Sequence, residues 1–344
     1  METILTTATT FSYVGKYLML ALMFLAFLMG VSGAVNALRS RPIWERLTGI
    51  FILVMNLVFL FGFLWICWFH YQIYCDFALE LPADLVSWLN KRLTVMNSRA
   101  AYAFPLLDPA NPPRFAVPVW IENEKYYFWF MCYAIMTLVV YRQNKNHRLN
   151  AALQLLLAGH VAILFFAADP FKLPLPKFFA ELGPWFESEH SPMEQIKHFM
   201  GLYPRMIFYY NNPYMWLHPP LLFLAYACIT ITFVTSVFML VRQDLSVEVL
   251  GYDYAKMGYF LLTLGMLLGY PWALQSWGPN WWWDPKICSS IMMWAIFTTY
   301  LHARIHIRKS SMWYFCSALG ILCYLSMIFT LLTSYYFPGE HTLQ

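Results

Sequence analysis

The sequence predicts an all-α, polytopic integral membrane protein with about eight transmembrane helices and external interfacial helices. Three observations carry that expectation. Hydrophobic residues make up 60% of the chain and charged residues only 12%, against about 25% charged in an ordinary soluble domain. Eight stretches come close to the roughly 20 apolar residues a helix needs to cross the hydrocarbon core. Basic residues gather in every second connection between those stretches, as they do in membrane proteins of fixed orientation.

The expected spans are 16–38, 47–69, 126–141, 150–168, 219–241, 256–275, 287–303 and 312–336. The start of the chain, "METILTTATTFSYVGK", lacks the basic run and cleavage pattern of a signal peptide, so the first span is read as part of the mature fold. Four connections, "RSRPIWERLTG", "RQNKNHRL", "RQDLSVEVLGYDYAK" and "ARIHIRKSS", hold 11 of the 22 Lys and Arg residues, which marks the cytoplasmic side. The opposite side then receives both termini, the long segments 70–125 and 169–218, and 14 of the 18 acidic residues. Residues 82–96 have helical apolar spacing that includes Trp88, suiting an interfacial helix. Residues 191–201 carry Ser191 as an N-cap, Pro192 at the first helical position, Glu194 three residues after the cap and Gly201 at the end. Both helices are expected to roof the bundle. Residues 1–204 read as an N-terminal unit of transmembrane helices with two long external segments, and 205–344 as the unit that carries chemistry.

Composition also excludes. The net charge of +4 is small and scattered, with no basic run, so nucleic acid is not an expected partner. Seven cysteines show no CxxC pair or zinc spacing. Most sit in apolar stretches, where a thiol packs as a small hydrophobe. Cys67 and Cys75 lie near one membrane edge, where either a disulfide or two packing thiols would fit. No Asp, Glu, Lys or Arg falls mid-span in the manner of an alternating-access carrier.

The chemistry concentrates in "SWGPNWWWDPK", residues 276–286, with four tryptophans in seven positions. An aromatic belt at the membrane boundary scatters its rings. This density instead makes a flat, polarizable shelf for a large planar ligand. A metal-centred ligand of that kind is pinned by axial histidines. His218, in "MWLHPPLLFLAY", and His341, in "FPGEHTLQ", fall at the same outer face as the tryptophans. Within spans, His160 and His302 fall at similar depth, and a titratable residue inside a membrane helix is a functional candidate. For His160 the competing reading is a neutral imidazole bonded to a neighbouring helix. For His302 it is membership of the basic cluster with Arg304, His306, Arg308 and Lys309. His70 is expected to be interfacial.

"WGPNWWWDPK" resembles the WWD motif of the haem-handling proteins of cytochrome c biogenesis, the cytochrome c assembly superfamily. "LLTLGMLLGYPWALQSWGPNWWWDPK" with "WAIFTTYLHAR" is most similar to the CcsA (ResC) type, and "NNPYMWLHPPLLFLAYA" to the CcmF type. The resemblance covers residues 205–344 well and the first 200 only in layout. It implies that Trp277, Gly278, Trp281, Trp283, Asp284 and Pro285 form the haem-presenting motif. It also implies that His218 and His341 ligate a presented haem b and that His302 is a transmembrane haem ligand. The family's second transmembrane histidine has no clear match here; a CcsB (ResB) type partner supplies it in some systems, and His160 is a stand-in candidate. The implied client is apocytochrome c, whose CxxCH thiols receive the haem. One departure stands out: the CcsA type continues WDPKE, whereas Ile287 and Cys288 follow Lys286 here.

A rival reading keeps His160 and His302 as ligands of a b-type haem in an electron-transfer subunit, but leaves the tryptophan stretch without a role. A structural subunit whose haem site has decayed is a third, bland reading.

Overall fold

A computed structural model describes residues 2–100, 102–187, 191–307 and 310–339. Within them the chain forms eleven α-helices and no β-strand. The first five are α1 (Glu2–Arg39), α2 (Pro42–Asp76), α3 (Ala83–Asn97), α4 (Glu124–Gln143) and α5 (His147–Ala167). Next come α6 (Pro176–Glu187) and α7 (Pro192–Arg205), then α8 (Pro213–Val241), α9 (Leu245–Trp277), α10 (Pro285–Arg304) and α11 (Ser310–Tyr336).

Each of the eight expected spans coincides with one long helix; among the described residues, α1, α2, α5, α8, α9 and α11 are long and apolar enough to cross a membrane by length and composition. The other two, α4 and α10, are 20 residues each and carry charges near their ends: Glu124, Lys125 and Arg142 in α4, Lys286 and Arg304 in α10. Packing accounts for α4, which lies against α2, α5 and α8 and needs less lipid-facing apolar surface. α10 packs chiefly on α11 and more lightly on α9.

Glycine sets the closest helix pair. Gly251, Gly258 and Gly265 recur every seven residues on the face of α9 turned to α8. A Cβ at Gly258 would fall 2.8 Å from Cys228 Cβ, one at Gly265 would fall 2.8 Å from Leu222 Cδ2, and one at Gly251 would meet Thr235. Small residues in such a row let two backbones approach without an intervening side chain, and a seven-residue repeat suits a left-handed crossing.

α8 is helical through Pro219 and Pro220. A proline inside a helix leaves the carbonyl four residues earlier without its usual donor. For Pro219 that carbonyl is Met215's, and the indole N–H of Trp120 donates to it at 2.6 Å. Trp120→Phe keeps the ring and removes that donor. An unsatisfied, enclosed carbonyl costs about 1–3 kcal/mol, so this variant should melt several degrees below the parent in detergent, and Trp120→Leu, which also gives up the ring contacts with Phe128 and Trp216, should melt lower still.

The two long connecting segments, 70–125 and 169–218, are built structures. On α3, Asn90 and Asn97 lie two turns apart and each grips extended backbone from both sides. Asn90 donates to the Leu107 carbonyl and accepts from the Leu107 N–H, both at 2.8 Å. Asn97 does the same for Phe104, again at 2.8 Å. α3 buries Val86, Leu89 and Leu93, while Trp88 is exposed with the Arg92 guanidinium over its ring. α7 starts as expected, with Pro192 in its first turn, but Ser191 makes no side-chain cap bond. It also runs past Gly201 to Arg205, because the next turn buries Leu202 and Tyr203. Arg205 pairs with Glu181 of α6 at 2.6 Å, and the Tyr210 hydroxyl donates to the same carboxylate at 3.0 Å. Burial raises the Glu181 carboxyl above the usual carboxylate range, and Arg205 opposes that shift.

Cys67 and Cys75 are both free, which fits the packing-thiol reading. His70 is buried, and its Nδ1–H donates to the Val117 carbonyl at 2.9 Å, so it is not the interfacial residue expected.

Candidate functional site

The starts of α8 and α10 and the ends of α9 and α11 meet at one end of the bundle, which brings His218 to the tryptophan stretch. α8 begins at Pro213, so His218 lies in its second turn rather than ahead of it. The Nδ1 of His218 lies 2.6 Å from the Gly265 carbonyl. A carbonyl only accepts, so Nδ1 carries the proton and the lone pair of the neutral ring falls on Nε2. A backbone bond of this kind fixes tautomer and ring direction in metal-ligating histidines. Gly269 makes room for it: a Cβ there would stand 2.6 Å from Cε1 and 2.7 Å from Nδ1 of His218. Trp272 lies nearly parallel to the imidazole, with centroids 6.0 Å apart and 26° between planes. The residues present therefore fit an axial imidazole beside an aromatic ligand.

A second brace holds Trp272. Residues Met206–Tyr210 form one wide π-helical turn, and the Phe208 carbonyl within it accepts from Trp272 Nε1 at 3.2 Å and from Ser276 Oγ at 2.9 Å. Neither Trp272 nor the pair Gly265 and Gly269 was singled out from sequence. The signal was present: 265, 269 and 272 fall three and four apart, on one face of α9.

The tryptophan stretch is tiered rather than a single flat shelf. Trp277 meets Trp272 edge-on, 4.6 Å between centroids at 70°. Trp281 is buried against Met215, Trp272 and Ala273 and anchors the turn. Trp282 stacks on it at 4.4 Å and 20°, and Trp283 is the most exposed of the four at 83%. Residues 278–283 form a 3₁₀ helix, which closes more tightly than an α-helix and fans successive side chains outward.

Gly278, Asp284 and Pro285 shape this turn. Gly278 has φ 74° and ψ −165°, a region essentially reserved for glycine. Asp284 caps α10: its Oδ1 accepts from Lys286 N at 3.0 Å and Ile287 N at 3.3 Å, and Pro285 takes the first helical position. Asp284→Ala should cost about 1 kcal/mol of stability and Asp284→Asn only a few tenths, as for other N-caps. Equal loss of melting temperature in both variants would mean that the charge matters and the cap does not.

The chain beyond α11 returns to the same turn. A Cβ at Gly339 would stand 2.6 Å from Asp284 Oδ2 and 2.8 Å from Pro285 Cδ. His341 follows two residues later and lies outside the described residues.

The two histidines expected within spans are differently housed. His160 is buried among Phe130, stacked at 4.5 Å, Tyr133 at 5.2 Å and Trp129 at 5.5 Å between centroids. Its Nδ1 meets no protein partner, so the expected bond to a neighbouring helix is not made there. His302 faces out of the bundle on α10, and its Nδ1–H donates to its own helix, to the Thr298 carbonyl at 2.9 Å. One ring is enclosed and the other turned outward, so the structure does not bring them together.

An all-helical membrane bundle with a histidine and stacked indoles at one end defines a class. Residues 120–341 match the family described as Cytochrome C assembly protein, and the chain belongs to that family. Among curated relatives it is similar to the "Cytochrome c biogenesis protein CcsA" of Cyanidium caldarium, 43% identical over 61 residues, 18% of this chain and 21% of that one. It is likewise similar to that of Gloeobacter violaceus, 46% identical over 56 residues, 16% of this chain and 17% of the relative. The matched stretches thus span only about a fifth of those relatives. The solved structure titled "Cytochrome c Heme Lyase CcmF" shares the fold, with a TM-score of 0.59 at 16% identity over 94% of this chain and 47% of that one.

Proposed function

We propose that this multi-pass membrane protein of cytochrome c biogenesis holds haem b at the non-cytoplasmic end of its bundle for attachment to apocytochrome c. The observation that carries the reading is the placement of His218: its Nδ1 proton is engaged by Gly265, its ring rests on Gly269, and Trp272 lies beside it.

Haem, when bound, supplies the vinyl groups to which the CxxCH thiols of the client add. The chain's part is to bind and orient. His218 would hold the haem iron through Nε2, the nitrogen left free of the proton by the bond to Gly265, and His341 would be the second histidine to hold it. Trp282 and Trp283 offer the exposed aromatic surface, with Trp282 stacked on the buried Trp281, and the half-buried Trp277 lies edge-on to Trp272 behind them. Positioning of this sort, with the bond-making left to cofactor and client thiols, is how proteins contribute to cofactor chemistry. His302 faces outward, which suits a second haem shared with a partner of the CcsB or ResB type. His160, enclosed on α5, is then a core residue.

The test is a reporter apocytochrome carrying one CxxCH site, coexpressed with the protein and scored for covalent haem. Covalent haem should fall at least about tenfold in His218→Ala, within the 10–100-fold range seen when metal-site residues are lost. Undiminished maturation in His218→Ala would remove the proposal.

A further inference from the structure

The outer segment contains an open groove of about 320 Å³ that the haem site does not use. Its apolar part is the half-buried Leu81, laid over a floor of the buried Leu79, Val86 and Leu107. Its other wall is Pro109, Pro112 and Pro113, and its two remaining residues are the exposed acids Glu80 and Asp108. No lining side chain is a hydrogen-bond donor, and the prolines also lack an N–H. The groove's polar side chains are therefore carboxylates alone, which favours an occupant that brings donors and positive charge.

Its shape is set in advance. Leu107 is gripped by Asn90 through both its N–H and its carbonyl, Leu79 N–H donates to the Pro113 carbonyl at 2.9 Å, and Asp108 holds its own turn through Ala110 N at 2.9 Å. A pre-ordered surface loses little entropy when it binds. The groove wall is also continuous with the haem site. From Leu107 the chain leads to Pro105, whose carbonyl accepts from the Tyr203 hydroxyl at 2.7 Å, and to Phe104, whose ring packs on Phe208 at 5.1 Å. Phe208 is the residue whose carbonyl braces Trp272 and Ser276.

We infer that this groove docks an extended, basic segment of the client polypeptide, its Lys or Arg side chains between Glu80 and Asp108 and its apolar side chains against Leu81 and the proline wall. The inference rests on the proposed haem-presenting function and adds the surface that holds the client. Charge complementarity of this kind sets specificity and association rate more than depth of binding.

A photo-crosslinking amino acid in place of Leu81, in the full-length protein coexpressed with the reporter apocytochrome, tests it. The reporter should be captured. Glu80→Lys with Asp108→Asn, which keeps the oxygen that holds the turn, should lower capture about tenfold, and a reporter whose basic flanking residues are changed to Glu should restore it against that double variant. A melting temperature equal to the parent's confirms that these exposed changes leave the fold intact. Normal maturation without capture from position 81, or capture indifferent to both charge reversals, would overturn the inference. His218→Ala separates the two claims: it should stop covalent attachment and leave capture unchanged. Retained attachment in that variant would defeat the haem assignment while the capture result still stands or falls alone.

Discussion

Gly269→Ala should strip haem from the protein nearly as well as His218→Ala does, although it removes no ligand. The reason is steric. The added methyl carbon falls 2.6–2.7 Å from two atoms of the His218 ring, well inside van der Waals contact. The imidazole must then swing off α9 and give up its bond to Gly265, which sets the tautomer. Losing the group that orients a metal-ligating histidine typically costs about 10–100-fold in affinity. Haem per protein after purification, read by pyridine haemochrome, should fall by about that factor, while the melting temperature falls by far less than cavity-forming changes in the core would cause. Gly269→Ala with wild-type haem content would show that the seat does not constrain the ring.

Gly278→Ala makes the opposite case, in which space is ample and conformation is not. Nothing lies within 4 Å of the position its Cβ would take. The backbone there has φ 74° and ψ −165°, and forcing a residue with a Cβ into such a region costs about 1–3 kcal/mol. The cheapest escape is to unwind residues 278–283, which would release Trp282 from its stack on Trp281. The expected result is a lower melting temperature together with a red shift of tryptophan emission as stacked indoles reach water. A variant with unchanged emission and stability would mean that the turn tolerates another path.

The sequence was legible wherever a single periodic signal decides the outcome. Long apolar runs located every spanning helix, and "SPMEQIKHFMG" located the start of α7. It failed where packing overrides pattern. α7 runs on past Gly201 because Leu202 and Tyr203 find a core to enter. α4 and α10 fall below the composition of independent spans because each is only 20 residues long with charges at its ends. The WWD stretch was legible as aromatic surface, but not as a tiered stack, since a 3₁₀ turn and a positive φ at Gly278 set the direction of each ring. Trp272 went unnoticed for the opposite reason. It lies outside the dense motif, and only the fold of α8 against α9 places it beside His218. Gly278, Asp284 and Pro285 carry visible structural duties in the turn, which explains their residue types without contact to a cofactor.

The most direct measurement is the reduced visible spectrum of the purified protein, taken for the parent, for His218→Ala, and for His218→Ala with added imidazole. If the indole-flanked His218 is an axial ligand, the parent shows a low-spin b-type spectrum, His218→Ala loses that signal, and free imidazole returns part of it by filling the vacated position. A parent and a His218→Ala variant with the same haem content and the same spectrum would contradict the account.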